Sequence, residues 1–478
     1  MKFNLNKESE LKLKLAFSDT KDDEIIDYLK ERKLFSAKLG EVYYSNSLSI
    51  NKASDIILGL GLEKDLNLDK LRIAFFNLAK CLIKNKEKEI SIYIPKLNNF
   101  CHKKIASAIC EGMMHAEYNF DKYKSDKIVN EEITVNYNHI GGISEKIASA
   151  INDASIIMEG INIARDLVNE PANTIYPYTL ALKVKDLFKD LPVEVKIYDE
   201  KEIESIGMHA YLNVAKGSNN RPYLIEIHYK GDKSTNFTTA LVGKAVTYDA
   251  GGYAIKPAAS MAEMFSDMGG SASVIGAMYN IAKLGLKANV VMIAAACENL
   301  IDGRAFKNGD IINSLANKTI EILNTDAEGR LTLADAIYYA TNHLKADRVI
   351  DLATLTGACL VALGEYTSAA ISNNMEFFNE FKKACDMAGE DIWLLPNNEY
   401  YRDLNKSEVA DLKNTGGRLA GTISAGLFIG EFVYNNKPWI HLDIAGSAYL
   451  SKPFKYLPKR ASGIMVKSLT NFFMDDNC

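Results

Sequence analysis

The chain has 478 residues, enough for two or three domains, and 47% of them are hydrophobic, which supports a large core and argues against global disorder. A net charge of −5 and a pI of about 5.9 fall far from the basic balance of a nucleic-acid scavenger, whose domain pI typically exceeds ~9. No run approaches the ~18 uninterrupted apolar residues of a membrane span, and the start, MKFNLNKESELKLKLAF, lacks the apolar core of a secretory signal. The expectation is therefore a cytoplasmic protein with no membrane partner and no nucleic-acid partner.

From the amino terminus, strand and helix patterns alternate. DIILGLG reads as a strand, LDKLRIAFFNLAKCLIKN as a helix, EISIYIP as a strand, HKKIASAICEGMMHAEYNF as a helix and EEITVNYN as a strand. This predicts an α/β domain over residues 1–141 with a largely parallel sheet. Residues 142–169 follow one long helical pattern, read as a linker helix, and Pro171 and Pro177 stop it. Residues 170–478 resume the alternation: VEVKIYD, YLIEIHYK, TTALVGKAVTYD, ANVVMIAAAC, TIEILNTD, DRVIDLATLT, TSAAISN and WIHLDIAG read as strands. The predicted fold is two α/β domains, the larger C-terminal one a mixed, mostly parallel sheet of about eight strands flanked by helices. The seven cysteines are scattered with no CxxC pair and read as reduced thiols, mostly packing residues.

Sheets of this kind bind ligands beyond the carboxyl ends of their strands, and charged residues cluster there. In LVGKAVTYDAGGYAIKPAASMAEMFSDMGG, Lys244 interrupts an apolar strand, Asp249 precedes Gly251 and Gly252, Lys256 precedes Pro257, and Asp267 precedes Gly269 and Gly270. In NTDAEGRL, residues 324–331, Asp326, Glu328 and Arg330 occupy alternate positions in a strand-to-helix turn. Each has a bland reading: a snorkelling lysine, turn aspartates, a helix cap. Gathered at successive strand ends, Asp249, Asp267, Asp326 and Glu328 would repel one another unless a cation were present. A metal pair with bridging carboxylates resolves this, and carboxylate oxygens suit Mn2+, Mg2+ and Zn2+. None of the seven histidines lies in these motifs.

Lys244, Asp249, Lys256, Asp267 and NTDAEGRL together resemble the cytosolic leucyl aminopeptidase family of dinuclear metallopeptidases. RDLVNEPAN, DLATLTGA, KNTGGRLAGTISAGLF and HLDIAG also match stretches of that family, and the likeness is strong over about residues 160–465. The resemblance implies one metal site from Lys244, Asp249, Asp267 and Glu328, and another from Asp249, Asp326 with its carbonyl, and Glu328. A lysine ligand must be a neutral amine, which costs about 4–5 kcal/mol from a reference pKa near 10.4; burial and the adjacent dication offset that. The resemblance further implies that Lys256 polarises the scissile carbonyl and that Arg330 holds a bicarbonate serving as general base. It also implies that a metal-bridging water attacks the first peptide carbonyl. Thr354, Leu355 and Gly357 would line the cleft, with Met264 and Ala445 shaping an apolar pocket for leucine-like first residues.

The metals implied are Zn2+ or Mn2+, or Co2+ at the exchangeable site. The assembly implied is a homohexamer whose interior active sites admit short peptides. Ala245, Ala250, Ala448 and DGRAFKNGD (302–310) depart from the family's usual residues, which bears on side-chain preference and metal choice. Two rival readings remain at this stage. A two-metal phosphoesterase would also use four carboxylates, but the missing histidines and the lysine speak against it. DNA binding through the amino-terminal domain, known in some bacterial members, gains nothing from the net charge.

Overall fold

The Thr238–Asp249 strand is buried at every position except Thr238 and Tyr248, the pattern of a strand covered on both faces. In the computed structural model, which describes residues 1–21, 23–47, 54–97, 100–127 and 131–474, this strand lies inside an eight-stranded sheet. From edge to edge the strands run Asp391–Leu394, Thr367–Ser372, Trp439–Asp443, Arg348–Ala353, Thr238–Asp249, Asn289–Asn299, Tyr223–Lys230 and Val193–Tyr198. The four strands from Trp439–Asp443 to Asn289–Asn299 are mutually parallel. Thr367–Ser372 and Tyr223–Lys230 flank them antiparallel. The carboxyl ends of the parallel four thus open on one edge of the sheet, at Asp249, Asn299, Ala353 and Asp443.

Helices cover both faces, and small residues set how closely. Gly269–Lys283 begins GGSAS and is almost wholly buried. A Cβ on Gly270 would lie 2.1 Å from the Leu352 carbonyl oxygen, and one on Gly243 would lie 2.5 Å from Ser271 Cα. Since successive strand residues face opposite sides, Lys244 points away from that helix. A Cβ on Gly329, the first residue of the Gly329–Tyr338 helix, would lie 2.3 Å from Lys244 Cε. That helix, with Gly421–Gly430, shares the main core with Val242, Val246, Ile293 and Val349.

The eight strands expected here differ in one member. TIEIL yields the strand Thr319–Glu321, which pairs with Ile311–Asn313 and Leu412–Lys413 in a separate three-stranded sheet. The eighth place in the large sheet belongs to Asp391–Leu394, an edge strand of four residues. Periodicity marks a short strand but does not say which sheet it joins.

The chain divides into two compact units, Met1–Met158 with the return segment Pro453–Pro458, and Glu159–Lys452 continued from Lys459. The division falls within the helix Glu145–Asn169. The first unit contains the predicted helices, found as Leu68–Lys84 and His102–His115, and the predicted strands, found as Asp55–Gly59, Glu89–Tyr93 and Thr134–Asn138. Its strands form two three-stranded sheets rather than one, because Lys2–Leu5, Leu13–Ala16 and Val42–Ser45 also pair. The first sheet is wholly parallel and the second mixed. In the return segment, the Tyr456 hydroxyl donates to Asp69 at 2.7 Å and Lys455 pairs with the same carboxylate at 2.6 Å. Cys81, Cys110, Cys297, Cys359 and Cys385 are free thiols. Cys478 lies outside the described residues.

Candidate metal centre

Lys244 sits on a central strand, not an edge, and its side chain is 3% exposed. Its ammonium is 2.7 Å from Asp267 Oδ2 and 2.9 Å from Glu328 Oε1, and it donates to the Thr354 carbonyl at 3.0 Å. A lone buried ammonium would be driven to neutrality. Burial does pull its pKa down, but Asp267, Glu328 and Asp249 outweigh that and hold it above the ordinary lysine range.

Asp249 ends the same strand. Its Oδ1 accepts from the Gly251 amide at 2.8 Å and from the Asn299 side-chain amide at 2.8 Å. Its Oδ2 faces Lys256 at 2.8 Å, and Lys256 also pairs with Asp326 Oδ1 at 2.6 Å. The Lys256 side chain is 14% exposed, so unlike Lys244 it is open to an incoming molecule. The loop between them closes on itself, with the Lys256 amide donating to the Ala250 carbonyl at 3.0 Å. Gly251 and Gly252 make that turn at φ 86° and 59°, a conformation open to glycine at little cost.

Asp267 follows the short turn Met264–Ser266. It does not cap the next helix, whose N-cap position is Met268 without a side-chain bond. Instead its Oδ1 accepts from the Thr354 hydroxyl at 2.7 Å. The octet NTDAEGRL is a turn leading into the Gly329–Tyr338 helix. Asn414 pins it: its Oδ1 accepts from the Leu323 amide at 2.9 Å and its Nδ2 donates to the Asn324 carbonyl at 2.6 Å. Asn324 Oδ1 in turn accepts from the Asp326 amide at 2.9 Å.

These elements gather the four predicted carboxylates and both lysines. Asp249, Asp326 and Glu328 offer oxygens within 4.8 Å of one another. Four carboxylates face two ammoniums, and the excess negative charge is visible in three of the four, Asp249, Asp267 and Asp326. Burial pushes the Asp249 carboxyl up, and Glu328 and Asp267 push it further. Burial also raises Asp267 against the pull of Lys244, and raises Asp326 with the help of Glu328. Burial would raise Glu328 too, but Lys244 and Lys256 hold it below the ordinary glutamate value. Glu328 Oε1 meets the Lys244 ammonium, and its Oε2 has no hydrogen-bond partner. A buried oxygen without a donor, excess negative charge and the near-absence of nitrogen ligands together fit divalent cations.

Arg330, on the first turn of the helix, is 8% exposed. Its Nε and Nη1 have no hydrogen-bond partner, and burial lowers its pKa to about 10 despite the carboxylates of Glu328 and Asp443. Two unpaired buried donors beside a helix N-terminus fit a small anion.

The predicted cleft residues occupy the neighbouring loops. Thr354 and Leu355 follow the Arg348–Ala353 strand, and Gly357 opens the helix Gly357–Leu363. Ala445 follows the Trp439–Asp443 strand. Ala448 lies opposite Thr354, since a Cβ on Gly269 would meet both, at 3.3 Å and 3.1 Å. Gly357 also lines a cavity of about 450 Å³ with Val361, Leu395, Arg418 and Ile423. Asn299, Asn414, Asp443 and the Thr354 hydroxyl were not singled out from sequence as site residues with these roles. The departing stretch 302–310 does reach the site, because Asn308 Oδ1 accepts from the Thr325 amide at 3.1 Å.

Gly329 offers a test. Alanine there is sterically compatible with a helix, and the atoms nearest its Cβ belong to the end of the Lys244 side chain. Gly329→Ala is therefore expected to displace the lysine from Asp267 and Glu328, lowering the melting temperature without preventing folding. Metal affinity should fall about 10- to 100-fold, as for other losses of ligand support. A metal titration followed by calorimetry checks this; unchanged affinity would mean that Lys244 contributes nothing to the centre.

Comparison with known proteins identifies the family to which the chain belongs. Residues 162–470 match the catalytic-domain model of the cytosol aminopeptidase family, and residues 3–127 match its N-terminal-domain model. The chain is 52% identical over 470 residues to a probable cytosol aminopeptidase of Treponema denticola, covering 98% of both chains. It is 48% identical over 474 residues to one from Clostridium tetani, again covering 98% of each. Among solved structures, the bottromycin maturation enzyme BotP in complex with Mn superposes with a TM-score of 0.88 at 29% identity, over 97% of this chain and 98% of that one. The chain belongs to the cytosol aminopeptidase family and is a metal-dependent aminopeptidase.

Proposed function

We propose that the enzyme releases neutral, leucine-like amino-terminal residues from short peptides, using two divalent ions held by Lys244, Asp249, Asp267, Asp326 and Glu328. The observation that carries this reading is the convergence of four carboxylates on two ammoniums, with Glu328 buried and its Oε2 unpartnered. Asp249 and Glu328, the most enclosed of the four carboxylates, would contribute to holding both ions. When bound, the ion pair supplies Lewis acidity and activates a water. Zn2+ and Mn2+ are the leading candidates, with Co2+ as an alternative; the manganese named for BotP supports Mn2+.

The chain's own groups do the rest. Lys244, inside the sheet, would hold a cation as a neutral amine, its proton passing to solvent. Lys256, more exposed and kept an ammonium by Asp249 and Asp326, polarises the scissile carbonyl and stabilises the charge that develops there. Arg330 holds a bicarbonate for proton transfer, supported by its two unpaired donors. Thr354, Leu355 and Gly357 align the peptide backbone. Met264 and Ala445 bound the side-chain pocket, where each methylene is worth only ~1–3 kcal/mol of discrimination. We read the assembly as a cytoplasmic homohexamer without nucleic-acid partners. Among the described residues no helix is long and apolar enough to cross a membrane.

The test is hydrolysis of leucine-p-nitroanilide by chelator-stripped protein, before and after adding Mn2+ or Zn2+. Activity is expected only with metal, and over a panel of amino-terminal residues it should favour apolar, uncharged ones. Silence with every metal across the panel would remove this reading.

A further inference from the structure

Asp443 is fully buried at the carboxyl end of the Trp439–Asp443 strand, in register with Ala353 of the neighbouring parallel strand. A buried carboxylate is costly unless its oxygens are satisfied. Here they are satisfied by the two loops that follow these strands. Oδ1 accepts from the Leu355 amide at 3.1 Å and from the Ala445 amide at 3.1 Å. Oδ2 accepts from the Thr356 hydroxyl at 2.6 Å. The Thr356 hydroxyl oxygen also accepts from the Cys359 amide at 3.0 Å, which caps the Gly357–Leu363 helix, and lies 2.8 Å from Thr422 Oγ1. One side chain therefore ties together the loop carrying Thr354, Leu355 and Gly357 and the loop carrying Ala445. We propose that Asp443 is a positioning residue that holds both walls of the substrate cleft. This rests on the reading of those four residues as substrate contacts.

The mechanism is geometric. The loops leave two adjacent strands and have no ladder of their own at this point beyond the Ile444 amide on the Ala353 carbonyl, 2.8 Å. Without the carboxylate, the Leu355 and Ala445 amides lose a shared anchor and the start of the Gly357–Leu363 helix is free to drift. Misplacement of substrate-positioning groups by ~1 Å can cost about 100-fold in rate. Asp443 also lies within electrostatic reach of Arg330 and His441, so its charge and its hydrogen bonds must be separated.

Three variants do that, each assayed for kcat, KM and bound metal with leucine-p-nitroanilide. Asp443→Ala is expected to lower kcat/KM about 100-fold, mainly through KM, with its full metal complement retained. Asp443→Asn keeps an acceptor for both amides, and its NH2 can donate to the Thr356 hydroxyl, so it should stay within about threefold of the wild type. Thr356→Val removes the Oδ2 link to the helix, with the Thr422 contact, but leaves both amides on Oδ1, and should raise KM by about fivefold; it also serves if Asp443→Ala does not fold. The proposal is overturned if Asp443→Asn is as impaired as Asp443→Ala, which would assign the effect to charge beside Arg330. Metal lost in step with activity, or an unchanged KM in Thr356→Val, would also overturn it. Wild-type turnover with metal, in the same series, tests the aminopeptidase reading itself: a silent wild type removes both, while an active wild type with unaffected variants removes only the role of Asp443.

Discussion

Glu328→Gln is expected to reduce kcat/KM on the order of 10³-fold or more, because it converts the most enclosed candidate bridging carboxylate into a weak neutral donor set. Glu328 is 1% exposed, with Oε1 2.9 Å from the Lys244 ammonium and Oε2 without a hydrogen-bond donor. The same substitution should also cost the metal-free protein some stability at neutral pH. Lys244 and Lys256 hold the Glu328 pKa below its ordinary value, so its ionised form favours the folded state, and glutamine forfeits that contribution. The metal-free melting temperature should therefore fall modestly, while the increase produced by added Mn2+ shrinks, since a ligand stabilises only in proportion to its affinity for the folded state. Thermal melts with and without metal, run beside the activity assay, separate the two effects. A variant that loses stability without metal but keeps the full Mn2+ increment would show that Glu328 serves the fold and not the ions.

The residues easiest to recognise from sequence were those that violate burial rules. A lysine in an apolar strand, and aspartates beside paired glycines, cost free energy that only a local partner can offset, and the structure brings Lys244, Asp249, Asp267, Asp326 and Glu328 together. Their supports left no comparable signal. Asn299, Asn414 and Asp443 are single polar residues at or beyond strand ends, where turn chemistry alone accounts for them. Their partners lie far along the chain: Asn299 bonds to Asp249, Asn414 to the Asn324 turn, and Asp443 to Leu355. Only the sheet order makes them neighbours. The same limit explains Thr319–Glu321 and Asp391–Leu394, strands of three and four residues whose alternation identifies a strand but not its sheet. In the first unit, four-residue strands such as Leu13–Ala16 turn one expected sheet into two for the same reason.

The two site lysines carry the same charge but differ in exposure, and Lys256→Met tests whether they differ in role. Lys244, 3% exposed, is enclosed by the groups proposed to hold metal. Lys256, 14% exposed, reaches the same cluster from the open side through Asp249 and Asp326. If cations take over those carboxylates' charge, the Lys256 ammonium loses its present partners and becomes available to a substrate oxygen. Its loss should therefore act on the reaction rather than on metal binding. Lys256→Met is expected to lower kcat by about 10²–10³-fold, the usual range for removing one donor from a developing oxyanion, with KM changed far less. Bound metal should stay at the wild-type level, because methionine removes a positive charge that competes with the cations. Lys244→Met should do the reverse and lower metal content first, with activity recovering in part at high Mn2+. If both variants lose metal equally, Lys256 belongs to the ion-binding cluster. The task of polarising the carbonyl would then pass to the remaining cation of the site, Arg330.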